Sequence, residues 1–321
     1  MTDNDHHEAG SRGVLPRCIA STTVEAVLGD IRALLCAPAV TALVSAFGGT
    51  PAPAAPLDDY LAWLDDFAAR HWDFRAGRER HDTAAADLST DLRIKVEAAA
   101  RWLGMTPVSA PPAGLYDHVL ILGGSAASCR QRALFAAALL DGDVTAGNVA
   151  GLASLRPLSR QELPSEAERT EVDAMRAAVV AAMDLPEPTF HEATDQWSVT
   201  GWQPREHRAG VTVLAAPSSE PTVRRANTAD TYHFWADRAA PRPGERILLV
   251  TTAIFVPFRH CDAVRMLGLA LGCTVDTVGL DSSTVGPAGL HRTYTPSMHL
   301  QEIRSVIRSA LALCRATLGT W

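Results

Sequence analysis

The sequence predicts an α/β protein, with a Rossmann-like doubly wound parallel sheet preceded by an N-terminal helical subdomain. Three observations predict it. An apolar run from Tyr116 to Leu122 stops at Gly123-Gly124-Ser125 and gives way to the helix-forming stretch Ala133 to Leu140. That order reads as a buried parallel strand delivering a tight loop to a helix N-terminus. From residue 116 onward, apolar strand-like segments alternate with helical ones, the pattern of a parallel sheet with crossover helices. Over residues 21–104, by contrast, apolar residues recur at spacings of three and four, the helical period.

Taken in order, residues 1–20 read as a disordered lead, polar and acidic at its start and without the basic-then-apolar order of a signal peptide. The helical subdomain, 21–110, opens with Val24, Val27, Leu28, Ile31, Leu34 and Leu35 on one stripe. The proline-rich stretch Thr50 to Pro56 separates this helix from a second one bearing Leu57, Leu61, Leu64 and Phe67. A third helix, Leu92 to Leu103, ends at Gly104, a natural C-cap. The α/β domain, 111–321, continues past its first strand and helix with a short apolar segment, Asn148–Ala153, and an acidic amphipathic helix from about Ser165 to Met183. Strands follow at Val211–Ala216, Ile247–Thr252 and Thr274–Leu280. Helices follow at Thr228–Arg238, at about Phe258–Leu271, and over 298–317.

Composition narrows the function. Hydrophobic residues make up 47% and charged residues 20% of the 321, globular values for a chain long enough to bury a full core. The 29 basic residues against 36 acidic ones leave a net charge of −7, which argues against a nucleic-acid surface. Basic clusters near Arg70–Arg80 and at Arg224-Arg225 are local, and suit a phosphate or carboxylate. The six cysteines lack CxxC spacing and read as reduced thiols of a cytoplasmic protein. No apolar run approaches the roughly 18 residues needed to span a membrane. The eleven histidines include no HxH or HExxH pair, so no metal is expected.

In doubly wound sheets ligands bind at the carboxyl ends of the strands. The rim so defined carries Gly123, Gly124 and Ser125; the stretch Pro217–Glu220 through Asn227 and Thr228; and Thr251 and Thr252 through Arg259 and His260. Glycines admit a ligand close to the backbone, and the first turn of a helix favours anionic oxygen. The loop lacks both GxGxxG and GxxxxGK[ST], so it names neither a dinucleotide nor ATP. Asn227 and Thr228 suit hydrogen bonds to a ligand or the capping of their own helix. Glu171, flanked by Glu166, Glu168 and Asp173, is a candidate ribose acceptor or general base. Arg259, with Arg224 or Arg225, is a candidate clamp on phosphate or carboxylate. Cys129, at the start of the helix, has the place of a thiol with a lowered pKa. Tyr294, His299 and Glu302 follow the last strand where a lid would form. Gly123-Gly124-Ser125-Ala126-Ala127 also fits GxSx[GA], which makes a serine hydrolase with Ser125 as nucleophile, and Asp281 with His291 or His299 downstream, an alternative.

The strand ending in Gly-Gly, the acidic segment Thr170-Glu171-Val172-Asp173, the stretch Arg225-Ala226-Asn227-Thr228-Ala229-Asp230, and Val250-Thr251-Thr252-Ala253 followed by Pro257 and Arg259 resemble the DUF218 family of YdcF-, SanA- and ElyC-like proteins over about residues 116–310. Phe255 stands where that family's pattern has a histidine, Arg259 comes one position late, and the segment from Glu171 to the Val211 strand is longer. The resemblance implies a small-molecule enzyme, a transferase or hydrolase, binding a nucleotide-like or S-adenosylmethionine-like ligand. Glu171 and Arg259 would then be catalytic, with Gly123, Gly124, Ser125, Asn227, Thr228, Thr251 and Thr252 at the ligand. A non-catalytic ligand-binding module that lost its histidine is a further alternative. The N-terminal helices carry Trp63, Phe67, Trp72 and Phe74, more apolar surface than they bury alone, and are expected to pack on the α/β domain as a lid or a homodimer surface.

Overall fold

The apolar run that predicts the first strand is β1 (Leu115–Leu122), the centre of the parallel sheet in this computed structural model, which describes residues 12–18, 22–73, 88–108, 110–159, 162, 169–203 and 209–319. β2 (Thr145–Ser154) and β6 (Arg246–Thr252) flank it, both parallel, with Leu120 opposite Ala150 on one side and Leu249 on the other. β5 (Gly210–Ala216) extends the sheet parallel beyond β2, and β7 (Thr274–Leu280) does so beyond β6. Two antiparallel strands, β3 (Phe190–Ala193) and β4 (Ser198–Trp202), complete the order β3-β4-β5-β2-β1-β6-β7. The chain winds outward from β1 to β5, then returns to the other side of β1. That reversal is the topological switch point at which such sheets hold ligands.

Period-two alternation sends neighbouring residues of β1 to opposite faces. Val119 and Ile121 pack with Cys129, Ala133 and Ala136 of α5 (Ala126–Asp141) and with Met175 and Val179 of α6 (Glu171–Met183). Leu120 and Leu122 belong to the opposite core. There they join Tyr232 and Trp235 of α7 (Thr228–Ala239), Phe258 and Cys261 of α8 (Val256–Ala263), and Ile303 and Val306 of α9 (Pro296–Leu318). The sheet is thus covered on both faces, as its apolar strands require.

The same second core takes in the N-terminal helices α1 (Val24–Leu35), α2 (Pro38–Ala46), α3 (Leu57–His71) and α4 (Thr90–Trp102). α1, α3 and α4 lie against α9, and α2 against α4. Phe67 and Trp72 turn into this core at 4% and 0% exposure, and Gln301 of α9 donates to the Trp72 carbonyl at 2.6 Å. Phe74 lies outside the described residues. The expected disordered lead is corrected in its second half: residues 12–18 are packed, because the Gly13 N–H donates to the Trp102 carbonyl at 2.9 Å and Val275 N–H donates to Cys18 O at 3.1 Å. His260 seals this corner, with Nε2 2.8 Å from the Pro16 carbonyl and Nδ1 3.0 Å from Thr277 Oγ1, and its burial lowers its pKa.

Other differences are local. The long segment before β5 is filled by the β3–β4 hairpin. The acidic helix starts at Glu171, where Thr170 and Asp173 form a capping box, and residues 163–168 lie outside the described residues. The helix expected from Phe258 begins two residues earlier, after a 3₁₀ turn at Ala253–Phe255, and widens into a π turn over Val264–Leu269. Among the described residues no single helix is long and apolar enough to cross a membrane; α1 and α2 reach that length only as a pair bent by 47°, with Val27, Ile31, Leu34, Leu35, Val40, Leu43 and Val44 buried inside the protein.

Candidate functional site

A cavity of about 850 Å³ opens over the carboxyl ends of the parallel strands. Its floor is built at β1. Ser125 caps α5, accepting from Ser128 N–H at 3.3 Å, and Gly123 and Gly124 bring the chain there from the strand. Neither glycine adopts a left-handed φ; the requirement at Gly123 is steric. A Cβ there would lie 2.6 Å from the Leu152 carbonyl oxygen and 2.7 Å from Glu171 Oε1, so the Glu171 carboxyl group rests on the bare Gly123 backbone.

Arg132, one turn and a half into α5 and only 3% exposed, reaches back under the loop. Its Nη1 donates to the Leu122 carbonyl at 2.7 Å and to the Gly123 carbonyl, while Nε and Nη2 donate to Thr252 Oγ1 at 3.2 and 3.1 Å. One guanidinium therefore ties the end of β1 to the end of β6 across the switch point, with Phe255 stacked 5.6 Å from it.

From β2 come Ser154 and Arg156. Ser154 Oγ donates to Glu171 Oε2 at 2.6 Å, and Arg156 pairs with Glu162 through Nη1 at 3.0 Å and Nη2 at 3.3 Å. Arg156 Nη2 also donates to the Gly124 carbonyl at 3.1 Å, and its Nε lies 3.9 Å from Glu171 Oε2. Burial pushes the Glu171 carboxyl above the usual carboxylate range, against the opposing pull of the Ser154 hydrogen bond and of Arg156, Arg259 and Arg132. Glu162 is held below that range because its hydrogen bonds with Arg156 and Ser159 outweigh its burial.

The segment after β5 brings Arg225, Asn227, Thr228 and Thr231 to the wall; β6 and α8 bring Phe255 and Arg259; the loop after β7 brings Arg292 and Tyr294. Tyr294 packs edge-on to Phe255 at 6.0 Å and lies 5.4 Å from the Arg292 guanidinium. The described lining carries five arginines, Arg132, Arg156, Arg225, Arg259 and Arg292, against two carboxyls, Glu162 and Glu171. An electropositive hollow sits in an acidic protein.

Of the residues singled out from the sequence, Gly123, Gly124, Ser125, Glu171, Asn227, Thr228 and Arg259 meet at this cavity. Thr251 and Thr252 do not. They are 0% and 1% exposed and lie behind the wall, where Thr252 serves as acceptor to Arg132. Asn227 is engaged as the N-cap of α7 in a reciprocal box with Asp230. Arg224 pairs with Asp230 and donates to Ser219 Oγ at 2.7 Å, bracing the loop from outside the cavity. Cys129 does not have the lowered pKa its place at the helix start predicts: it is fully buried, and burial, reinforced by Glu171, pushes its thiol up to about 12. Ser125 has no histidine beside it in the described lining, since His291 contacts the Gly286 carbonyl and His299 the Thr295 carbonyl. Glu166 and Glu168 lie outside the described residues. Arg132, Arg156 and Arg292 were not singled out, although the first stands in the helix directly after the glycine loop, where a cation in the second turn faces the strand ends. Among the described residues, no group of three or more histidine, cysteine, aspartate or glutamate side chains is placed to hold a metal ion.

Comparison with known proteins corrects the DUF218 resemblance. The family model that matches is the Rv3785 N-terminal domain, over residues 18–104, the part of the chain that forms α1 to α4. Relatives match over nearly the whole chain: "Uncharacterized protein Rv3785" of Mycobacterium tuberculosis and "Uncharacterized protein Mb3814" of Mycobacterium bovis are each 31% identical, over 93% of this chain and 94% of theirs. No solved structure matches. With a helical N-terminal part and a sheet both inside the matched length, the chain belongs to the Rv3785 family.

Proposed function

We propose that the chain is a small-molecule enzyme that holds a nucleotide-like, phosphate-bearing anion across the carboxyl ends of its parallel strands, and transfers or hydrolyses a group on it. One observation carries the reading. Each of the five parallel strands leads to one arginine at the same cavity: Arg132 after β1, Arg156 after β2, Arg225 after β5, Arg259 after β6 and Arg292 after β7. Guanidinium forks match phosphate oxygens, and the first turns of α5 and α7 add N–H groups of the same polarity. The cavity lies within the range of about 300–1,000 Å³ that small-molecule sites occupy. S-adenosylmethionine fits this charge less well, because its sulfonium and amine leave it a net cation facing five arginines. Glu171, seated among these arginines with a raised pKa, is the side chain suited to move a proton.

A second reading, a ligand-binding module without turnover, is favoured by the absence, among the described lining residues, of a nucleophile with a base beside it. Calorimetric titration with nucleoside mono-, di- and triphosphates and S-adenosylmethionine tests the site, and chromatography of each ligand after incubation tests turnover. Arg259→Ala should weaken binding of an accepted nucleotide by roughly ten- to a hundred-fold, the loss of a charged hydrogen bond of about 1.5–3 kcal/mol, and Arg259→Lys should recover only part of it. Equal affinities for all three proteins would remove Arg259 from the site.

A further inference from the structure

The Glu171 carboxyl group occupies the place where an anion would be expected. It rests on Gly123, with Oε1 2.7 Å from the Cβ that glycine lacks, at the entrance to the N-terminus of α5. An anionic oxygen approaching the N–H groups of that first turn therefore comes down beside Glu171. Two like charges in a site this enclosed repel strongly. A neutral carboxyl group in the same place does the opposite, because its O–H is a donor, while the charges of Arg156 and Arg132, each held by its own hydrogen bonds, still favour an anion beside them.

We infer that Glu171 meets the ligand as a neutral carboxyl group, donating its O–H to an anionic oxygen seated at the N-terminus of α5, so that this site takes up an anion together with a proton. The inference rests on the anion-binding reading above. The balance is simple: carboxylate, proton and free anion go to carboxylic acid and bound anion, with no other bond made or broken and the proton returned to solvent on release. The groups around Glu171 pull in both directions. Burial favours the neutral form, with the side chain 13% exposed. The Ser154 hydroxyl from β2 and the charges of Arg156 in the following loop, Arg259 on α8 and Arg132 on α5 favour the charged form. Cys129 of α5, its thiol protonated, adds no charge, and Glu162 is spent on Arg156. An arriving anion screens the arginines and tips the balance toward the acid.

Sulfate is the useful probe, since it does not titrate between about pH 5 and pH 9, whereas a phosphate does. Its affinity should be measured by calorimetry across that range for wild type, Glu171→Gln and Ser154→Ala. In wild type, sulfate affinity should fall as pH rises, approaching tenfold per unit above the Glu171 midpoint, because one proton is linked to one anion. Glu171→Gln keeps a donor without a titration, so it should bind sulfate with an affinity independent of pH. Ser154→Ala removes a hydrogen bond that favours the charged form, so its midpoint should move to higher pH. A wild-type affinity flat in pH, or a pH dependence that persists in Glu171→Gln, would overturn the inference while leaving the anion site standing. Failure of sulfate, phosphate and nucleotides to bind at any pH would overturn the anion site itself.

Discussion

Replacing Gly123 with alanine should destabilise the fold, whereas the same change at Gly124 should be nearly neutral, although the two residues are adjacent and neither has a left-handed φ. At Gly123 the new methyl would lie 2.6 Å from the Leu152 carbonyl oxygen, 0.8 Å inside the 3.4 Å at which ordinary contact begins. That oxygen belongs to β2 and cannot retreat without straining the ladder to β1. Glu171 Oε1, at 2.7 Å, can swing away only by giving up the 2.6 Å hydrogen bond from Ser154. Overpacking of this kind costs about 1–3 kcal/mol, and the lost hydrogen bond adds about 1 kcal/mol. The sum is roughly 2–4 kcal/mol. At Gly124 the methyl meets Ser128 Cβ at 3.2 Å and Arg132 Nη1 at 3.3 Å, a tightening of one or two tenths of an ångström. Alanine also reduces the freedom of the unfolded chain, worth about 0.4–1 kcal/mol, so the net change should stay within about 1 kcal/mol. Urea unfolding followed by tryptophan fluorescence, with both variants compared at equal slope, checks the difference. Equal stabilities would refute the steric account of Gly123, and a larger loss at Gly124 would reverse it.

Three further outcomes follow from capping, charge and packing. Asn227→Ala should cost about 1 kcal/mol in the same assay through loss of the α7 cap. Burial pushes the Asp230 carboxyl up, but hydrogen bonds from Arg224, Asn227 and Ser219 outweigh it and hold the pKa well below the usual range. Its contribution to stability is therefore full above the unfolded value and lost as pH falls, so wild type should lose more stability on acidification below about pH 4 than Asp230→Asn does. A chain beginning at Gly114 lacks α1 to α4 and bares the apolar side of α9, including Ile303, Val306 and Ile307, all fully buried in the whole chain. It should aggregate; a soluble monomer on gel filtration would show those helices to be dispensable.

The sequence was most legible where one face or both faces of an element are buried. β1 and β6 carry unbroken apolar runs at Val119–Leu122 and Ile247–Val250, and the helical stripes of α1 and α3 repeat at the period the core demands. β3 and β4 escaped because β3 is exposed at all four positions and β4, although buried, is five residues long with Ser198, Thr200 and Gly201 among them, so neither shows an apolar run. α2 escaped because it is short and opens at Pro38 directly after α1, leaving no polar boundary to mark it. The strand ends located the cavity through Gly123, Glu171, Asn227 and Arg259. The rule that hydroxyls after a strand face the ligand misplaced Thr251 and Thr252, which precede the turn and stay inside the sheet. Arg132 was hidden for the opposite reason: it lies in a helix and reaches the site by folding back over a turn and a half, a direction that helix geometry supplies and spacing along the chain does not. The DUF218 resemblance rested on short stretches shared by many parallel-sheet rims, and relatives matching over nearly the whole length outweigh it.

The tie between Pro16 and His260 spans 244 residues of chain. At a synthesis rate of about 5–20 residues per second, the partner of that early segment leaves the ribosome roughly 12–50 s after it. α1 to α4 emerge long before α9, against which their apolar stripes close. Helical turns form in microseconds, so for tens of seconds the nascent chain carries helix-forming segments whose α9-facing stripes have no α9 to settle on. Such a chain needs to be held off its neighbours during translation. Its yield in a cell should therefore depend more on chaperone supply and on the pace of translation than on the stability of the finished fold.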